Sequence, residues 1–593
     1  DPTLPPFPRP CPVFTTYHPA AVGRDKNKGL FVNSHLKLLV DYLKGDLTYD
    51  IKGGSLTIQM APLPPPYLFS QLSLDIETYG ILEGQNQTQF HPLKSMVHDG
   101  IPREKLVVTT GLTWFNPDGE MEHAIFIMSK EKHRRRLWSW VKKCYQEAGP
   151  NVRTTQNGTE EKTTHSGPFK FMVGQNLKFD LMYLRYAYPE CKTWLNYPLP
   201  IVDLTVTNYL LNEGRPERSL KALAPLLRVT QYQEGFTQYL TPTSTALHQY
   251  NCQDTAATLL SHAKLEDLIR QLYGTDSPKL SEFNREWYSK LLWLTVWMEE
   301  AGITMDRPAL EGLLKSYKAR MVKLEKGINS RWDINLRGKG SDKHKREIMD
   351  QACHTLLQQN MIVPKLERTP ARKEISFSEE NRNALLGILP AHTVVHHQLR
   401  AVSSVHSVSG VLDRYLYPLL VGRGKDHADP TTRLIDGKAY ARIYPVPSEY
   451  DDGGGGGTKQ CRIVFKGPPV QTFPPKIKAC ITSRYGYLLW FDYSQIELRI
   501  AALLSNDPWM MSEYNKPDCD FHLGTARKLF AFSGGFYRQL CGDEHFDCRD
   551  SLVVVFRRER PQALDLAFLG VLDGSGFNLP RAVLDLGLSR CFV

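Results

Sequence analysis

An apolar run that ends in an aspartate and continues as a helix constrains this chain most. Residues 488–505 read LLWFDYSQIELRIAALLS. Residues 487–491 are too apolar for a surface strand, so the sequence predicts a buried strand with Asp492 at its end. A lone buried charge is costly unless a cation compensates it, and magnesium commonly takes one or two carboxylates beside water and phosphate oxygens. Apolar residues then recur at helical spacing from Gln495, which places Glu497 one turn beyond the strand.

A short Asp-Tyr-Ser sequence by itself is also typical of an aspartate that caps a core helix, with a glutamate in the first turn. The whole of residues 488–505 resembles the first palm motif of family A DNA polymerases. This resemblance implies that Asp492 holds a catalytic magnesium ion and that Glu497 closes the sugar pocket. It also implies that Gln495 and Arg499 bind substrate.

A second acidic motif lies far upstream. Residues 71–78, QLSLDIET, alternate as a strand and place Asp75 and Glu77 on the same face, because strand side chains repeat every two residues. Two carboxylates placed in this way favour a divalent ion. An Asp-x-Glu triplet is also typical of a strand edge that charge keeps soluble.

Two later segments supply further side chains of the same kind. Residues 171–175 predict another strand, and Asn176-Leu-Lys-Phe-Asp180 follows it. Tyr250-Asn-Cys-Gln-Asp254 lies in a helical stretch, where a spacing of four puts Tyr250 and Asp254 on one face.

In this order the three segments resemble the motifs of DEDDy-type 3′–5′ proofreading exonucleases, which have a ribonuclease-H-like fold. The resemblance covers about 200 residues. It implies that four carboxylates hold two Mg²⁺ (or Mn²⁺) ions about 4 Å apart for phosphodiester hydrolysis. The ligands would be Asp75, Glu77, Asp180 and Asp254. Tyr250 would orient the attacking water, Asn176 would hold the terminal nucleotide, and Phe179 would pack.

An exonuclease segment before a palm segment is the family A layout, and the sequence between them agrees. A long helix is predicted over about residues 308–328. Its polar face is basic at Lys315, Lys318, Arg320, Lys323 and Lys326. This suits a thumb that touches duplex phosphates, although a solvated helix face has the same pattern. Arg462 and Gln471 lie in a segment that loosely resembles the family's primer and template contacts.

The resemblance weakens toward the C-terminus. Residues 520–526 resemble the start of the fingers, and Arg560 and Phe568 fit the fingers helix. Leu564, however, stands where the family has a phosphate-binding Lys, and no His-Asp-Glu palm motif occurs before Val593. We therefore expect a truncated polymerase domain that does not extend a primer.

The N-terminal segment points to another activity on nucleic acid. Residues 16–24 resemble the late motif of uracil-DNA glycosylases, although an ordinary His-Pro loop is the alternative. The motif that carries the water-activating acid is absent. We expect residues 1–48 to be a glycosylase-like remnant and residues 49–68 a Pro/Gly linker. Because the chain begins without Met, it is expected to be a fragment.

Composition agrees with an intracellular, DNA-binding protein. The formal net charge is +10, and the 11 cysteines contain no Cys-x-x-Cys pair, which favours a reducing compartment. No stretch approaches the roughly 20 apolar residues of a membrane span. The expected location is the cytoplasm, or the host cytoplasm for a phage protein.

The predicted fold class is α/β and α+β multidomain. A ribonuclease-H-like exonuclease domain at 69–275 precedes a partial thumb, palm and fingers domain at 276–593. The expected protein is a phage-like replicative family A polymerase that binds DNA primer-template, single-stranded 3′ ends and dNTPs. The alternatives are a stand-alone DEDDy exonuclease and a catalytically inactive DNA-binding scaffold. The sequence indicates no particular processivity factor.

Overall fold

A computed structural model describes most of the chain between Ser70 and Lys516. The described residues are 40, 44, 50–51, 70–82, 90–148, 151–154, 160–163, 171–211, 219–230, 241–334, 341–369, 374–422, 432–446, 462–516, 521 and 555–556. Contacts divide the chain into two compact units. The first holds the residues up to Ile303, Arg307–Lys478 and Arg590–Val593, and the second holds Thr304–Asp306 and Ala479–Ser589. None of the described helices is long and apolar enough to cross a membrane.

A mixed sheet and its helices occupy the first part of the first unit. In chain order the elements are β1 (Gln71–Thr78), α1 (Tyr79–Leu82), α2 (Pro92–His98), β2 (Val107–Phe115), β3 (Met121–Ile127), α3 (Glu131–Ala148), β4 (Asn151–Thr154), β5 (Glu160–Thr163), β6 (Phe171–Gly174), α4 (Leu177–Ala187), β7 (Ile201–Asp203), α5 (Leu204–Leu211), α6 (Leu220–Leu226) and α7 (Thr245–Tyr273). The predicted strands at 71–78 and 171–175 and the helix around Tyr250 are therefore present.

The five-stranded sheet has the order β3-β2-β1-β6-β7. Strand β1 is antiparallel to β2 and parallel to β6, so the sheet is mixed. Because side chains alternate along β1, Leu72, Leu74 and Ile76 enter the main hydrophobic core, while Asp75 and Glu77 lie on the opposite face. Helix α7 packs on that opposite face against β1 and β2.

The rest of the first unit is mainly helical. Its elements are α8 (Ser277–Phe283), α9 (Ser289–Ala301), α10 (Arg307–Trp332), α11 (Ser341–Gln358), α12 (Glu379–Ile388), α13 (Val394–Val411), α14 (Tyr417–Val421), β9 (Lys438–Ala439), β10 (Arg442–Tyr444), β11 (Val464–Lys466) and α15 (Pro475–Lys478); the two-residue strand β8 (Ile303–Thr304) lies at the boundary of the units. The long predicted helix is α10, and its five predicted basic residues are exposed. A separate core joins α10, α11, α12 and α13.

The second unit contains β12 (Leu489–Trp490), α16 (Ile496–Ser505), α17 (Pro508–Tyr514) and β13 (Val555–Phe556). The predicted helix after Asp492 is present, but the prediction of a buried strand over 487–491 is wrong. The strand is two residues long, and Tyr487 and Phe491 are 49% and 58% exposed. Among the described residues β12 pairs only with the short β13, so a run of apolar side chains is not by itself enough to form a covered sheet there.

Candidate active site

Three carboxylates converge where β1 meets α7. One ligand oxygen from each of Asp75, Glu77 and Asp254 lies within 4.8 Å of the other two. Glu77 is buried, and Asp75 and Asp254 are partly buried. Three hard oxygen donors at this spacing can hold a divalent cation such as Mg²⁺ or Mn²⁺.

Asp180 approaches the same cluster from α4. Its Oδ1 accepts a hydrogen bond from the backbone N–H of Ile76, at 3.0 Å, in the middle of the Asp75-Ile76-Glu77 segment. Asp180 is 4% exposed. It lies outside the 4.8 Å group, yet its charge acts on both β1 carboxylates.

Burial raises the pKa values of Asp75, Glu77 and Asp180, and repulsion by the neighbouring acids adds to this for Asp75 and Glu77. For Asp75 burial is the largest cause, followed by the charges of Asp180, Glu77 and Asp254. For Glu77 burial again comes first, and the opposing attraction of Lys221 is smaller. Burial also raises the pKa of Asp180. A bound cation would relieve this repulsion, so the donor set fits a divalent metal ion.

Tyr250 projects from the same helix as Asp254 and forms a side-chain hydrogen bond with it. Burial raises the pKa of the Tyr250 hydroxyl, and the negative charges of Asp254, Glu77 and Asp75 raise it further. The phenol therefore stays protonated near neutral pH and acts as a hydrogen-bond donor beside the carboxylates.

The turn before α4 explains the positions of Asn176 and Asp180. Asn176 has a left-handed backbone, with φ of 54°. Asp203, at the end of β7, accepts hydrogen bonds from the backbone N–H groups of Asn176 (3.2 Å), Leu177 (2.8 Å) and Thr205 (2.8 Å). Asp203 thus satisfies two backbone donors at the N-terminus of α4, the helix that carries Asp180. Phe179 packs against the main core and against the ring of Tyr183, which confirms its predicted packing role.

Three further residues of this site had not been singled out from the sequence. Asn251 donates from Nδ2 to Asp75 Oδ2 at 2.7 Å. Gly111 pairs with Asp75 across the sheet, and Lys221 acts electrostatically on Glu77. The sequence signal for Asn251 was its position directly after Tyr250, in the predicted helix that also carries Asp254. Gly111 and Lys221 carried no sequence signal, because they approach only through folding.

The predicted polymerase residues of the second unit lie around the start of α16. Asp492 and Glu497 are exposed. Gln495 precedes the helix with a left-handed backbone, and its Oε1 accepts a hydrogen bond from the Tyr514 hydroxyl at 3.1 Å. Arg499 donates from Nε to the Ser494 carbonyl at 2.9 Å, and its guanidinium lies 4.7 Å from the centre of the Tyr514 ring. Gln495 and Arg499 therefore brace the turn that presents Asp492.

Arg462 and Gln471 lie in the first unit. The Gln471 side chain donates to the Ile463 carbonyl at 2.6 Å and accepts from the Phe465 N–H at 3.3 Å, so it supports the backbone of β11. Arg462 is exposed. Several predicted positions lie outside the described residues. They are the glycosylase-like residues 16–24, the linker apart from residues 50–51, His522, and the fingers positions from Arg560 to Phe568.

Comparisons with known proteins agree with part of the predictions. Residues 456–535 match the family model for DNA polymerase family A, and this range includes the six residues predicted to bind metal or substrate in the polymerase domain. The chain is also similar to a solved structure of the POL domain of Pol1 from M. smegmatis in complex with DNA primer-template and dNTP. That similarity has 16% sequence identity and a TM-score of 0.51, and at this identity it shows the fold alone.

The structural match covers 79% of this chain and 65% of the M. smegmatis chain, so it spans slightly less than two thirds of that protein. A comparison with curated proteins found no match. The family model and the fold together support a family A DNA polymerase domain in this chain.

Proposed function

We propose that the chain carries a metal-dependent 3′–5′ exonuclease site in a ribonuclease-H-like domain at residues 69–275. The convergence of Asp75, Glu77 and Asp254 within 4.8 Å carries the proposal. Asp180, which is held to the β1 backbone, completes the set of four acids. Four neighbouring carboxylates, of which Asp75, Glu77 and Asp180 have raised pKa values, are costly without cations. This cost supports binding of Mg²⁺ or Mn²⁺, with two ions as the proposed number.

The reaction would be hydrolysis of the terminal phosphodiester. A water oxygen forms a bond to phosphorus, the bond from phosphorus to the 3′ oxygen breaks, and a nucleoside 5′-monophosphate leaves. The 3′ oxygen of the shortened strand takes up a proton and becomes a 3′ hydroxyl. Bound metal ions would lower the pKa of the water and stabilise the leaving oxygen. Tyr250, which is protonated and hydrogen-bonded to Asp254, would orient that water.

The proposed substrate is a single-stranded or frayed 3′ end of DNA. Asn176 lies in the turn between β6 and Asp180, where it can contact the terminal nucleotide. The surplus of ten positive charges and the exposed basic residues of α10 suit a phosphate backbone.

For residues 276–593 we propose a family A polymerase domain that binds primer-template and dNTPs. Asp492 would hold a magnesium ion and Glu497 would border the sugar of the nucleotide, with Gln495, Arg499, Arg462 and Gln471 as substrate-binding residues. Their inclusion in the family-matched residues supports this assignment. The proposed role is in intracellular DNA replication, with a competent proofreading exonuclease and an incomplete polymerase domain. Because Leu564 stands in place of the phosphate-binding Lys, we expect no primer extension by the 593-residue chain.

The exonuclease is tested with a 5′-labelled single strand and Mg²⁺. The wild-type chain should shorten the strand from its 3′ end, and Asp75→Ala with Glu77→Ala should remove nearly all of this activity, because half of the carboxylates are lost. A matched control is Asp118→Ala with Glu120→Ala, which removes the same residue types at the same spacing from the exposed β2–β3 turn. Undiminished hydrolysis in the Asp75/Glu77 variant would contradict the proposal.

A further inference from the structure

Asn251 is a buried amide that joins the two acids of β1. Its side chain is fully buried, and Nδ2 donates to Asp75 Oδ2 at 2.7 Å. A side-chain hydrogen bond from Asn251 also acts on Glu77. Because both partners are carboxylates, the NH₂ group of the amide must face them. This group can donate two hydrogen bonds. Asn251 can therefore hold both acids from a single side chain.

Gly111 on β2 makes room for this amide. Gly111 lies opposite Asp75 in the antiparallel pair of β1 and β2. A Cβ atom at Gly111 would lie 2.4 Å from Asn251 Oδ1 and 2.8 Å from Asn251 Cγ. Since real Cβ atoms do not approach other atoms so closely, any larger residue at this position would displace the Asn251 side chain. The glycine is needed here for space, at a point where the helix approaches the strand.

The chemistry of the amide matches the needs of a site crowded with acids. An amide donates hydrogen bonds without adding charge, so it orients carboxylates and does not compete with a cation for them. An aspartate at this position would add to the repulsion, and an apolar residue would leave the buried carboxylate oxygens without a donor. One hydrogen bond holds Oδ2 of Asp75, which fixes the rotation of the carboxylate relative to Asp254.

We propose that Asn251, seated against Gly111, is a positioning residue that sets the orientation of Asp75 and Glu77 for metal binding. This inference rests on the proposed exonuclease. Groups that orient metal ligands typically contribute a factor of 10 to 100 in metal affinity or activity. Asn251 touches neither DNA nor the reacting atoms in this scheme, so its effect should appear mainly in the metal concentration that the enzyme needs.

The experiment uses the full chain with Asp492→Ala as the background, so that Mn²⁺ binding reports the upstream site. Free Mn²⁺ is measured by electron paramagnetic resonance without DNA, and strand shortening is measured against Mg²⁺ concentration. Asn251→Leu keeps the volume and loses the donors, and Asn251→Ala removes the side chain. The matched control is Gln249→Ala, an exposed residue on the same helix.

Both Asn251 variants should weaken Mn²⁺ binding by about 10- to 100-fold and raise the half-saturating Mg²⁺ concentration similarly. The rate at saturating metal should recover most of the wild-type value, because all four carboxylates remain. Gly111→Ala should act in the same direction, and it should add little in the Asn251→Ala background, where its clash partner is gone. The Gly111→Ala variant keeps the test decisive if Asn251→Leu does not fold.

Two results would overturn the inference in distinguishable ways. If the wild-type chain binds Mn²⁺ and degrades DNA while the Asn251 variants bind Mn²⁺ as tightly as Gln249→Ala, the positioning role is wrong and the exonuclease stands. If the wild-type chain neither binds Mn²⁺ through Asp75 and Glu77 nor degrades DNA, the proposed exonuclease fails, and the role of Asn251 fails with it.

Discussion

His262 on α7 is a buried histidine in an apolar setting. Neither ring nitrogen has a hydrogen-bond partner among the described residues, and the ring lies edge-on to Phe171 at 5.4 Å. Burial lowers its pKa to about 4, with Glu266 opposing this shift and Arg285 adding to it. A single residue thus gives the folded chain a sensitivity to acid.

The folded state holds His262 neutral over a range in which the unfolded state protonates it. Its unfolded pKa is near 6.5 and its folded pKa is about 4, so the unfolded chain binds more protons between these values. The free energy of unfolding should therefore fall as pH drops below about 6.5, by on the order of 2 kcal/mol at pH 5 from this residue.

His262→Leu should remove that part of the pH dependence, as measured by urea unfolding at pH 7 and pH 5. The exposed His392→Gln is the matched control and should retain the wild-type difference. An equal loss of stability in wild type and His262→Leu between the two pH values would contradict the prediction.

At the scale of elements, buried ion pairs and hydrogen bonds connect α4 to α9 and β10. Lys178 Nζ lies 2.6 Å from Glu299 Oε1 and also donates to the Ile443 carbonyl. The Ile443 N–H donates to the same Glu299 oxygen. One further pair, Arg185 with Glu300, is bidentate at 2.8 and 2.9 Å. The helix that carries Asp180 is therefore held by α9 and β10, which lie far from it in the sequence.

Glu299→Ala should destabilise the chain by about 3–5 kcal/mol, because it leaves the buried Lys178 charge without its carboxylate. Lys178→Met combined with Glu299→Leu should cost less than Glu299→Ala, since neither charge then remains buried. Glu131→Ala breaks the exposed pair with Arg135 and is expected to cost at most about 1 kcal/mol. Chemical denaturation measures all three; a double variant as unstable as Glu299→Ala would count against the explanation.

At the scale of the whole molecule, α9 belongs to the core beneath the five-stranded sheet. Leu292, Trp293 and Val296 lie in the same hydrophobic cluster as Leu74. Trp293 is fully buried and donates from its indole N–H to the Leu199 carbonyl at 2.7 Å. The sequence places the boundary between the proposed exonuclease and polymerase domains at 275/276, which stays a prediction. However, side chains beyond residue 275 pack in the core of the five-stranded sheet.

A fragment of residues 70–303 should therefore unfold cooperatively, and a fragment of residues 70–275 should be much less stable. The shorter fragment loses Trp293, worth about 3–5 kcal/mol when removed from a core, and leaves Lys178 and Arg185 without their acids. Thermal unfolding followed by circular dichroism compares the two. Equal melting temperatures would show that α9 is dispensable to the sheet.

The sequence by itself determined the features that depend on residue type and short spacing. The alternation of β1 placed Asp75 and Glu77 on one face, and helical spacing placed Tyr250 and Asp254 together on α7. The long basic helix α10 followed from the same periodicity. These three predictions succeeded because strand and helix geometry fix which side chains share a face, whichever residues pack against that face.

Only the tertiary structure decided what each face meets. Asn251 reaches Asp75 because Gly111 on another strand leaves space, and Lys178 meets Glu299 across a separation of 121 residues. The strand before Asp492 was expected to be buried because it is apolar, yet its flanking aromatic residues are exposed among the described residues. Burial requires another element that packs over the strand, and the hydrophobicity of the strand does not show whether such an element exists. Apolar character therefore predicts a strand or helix but not what packs against it.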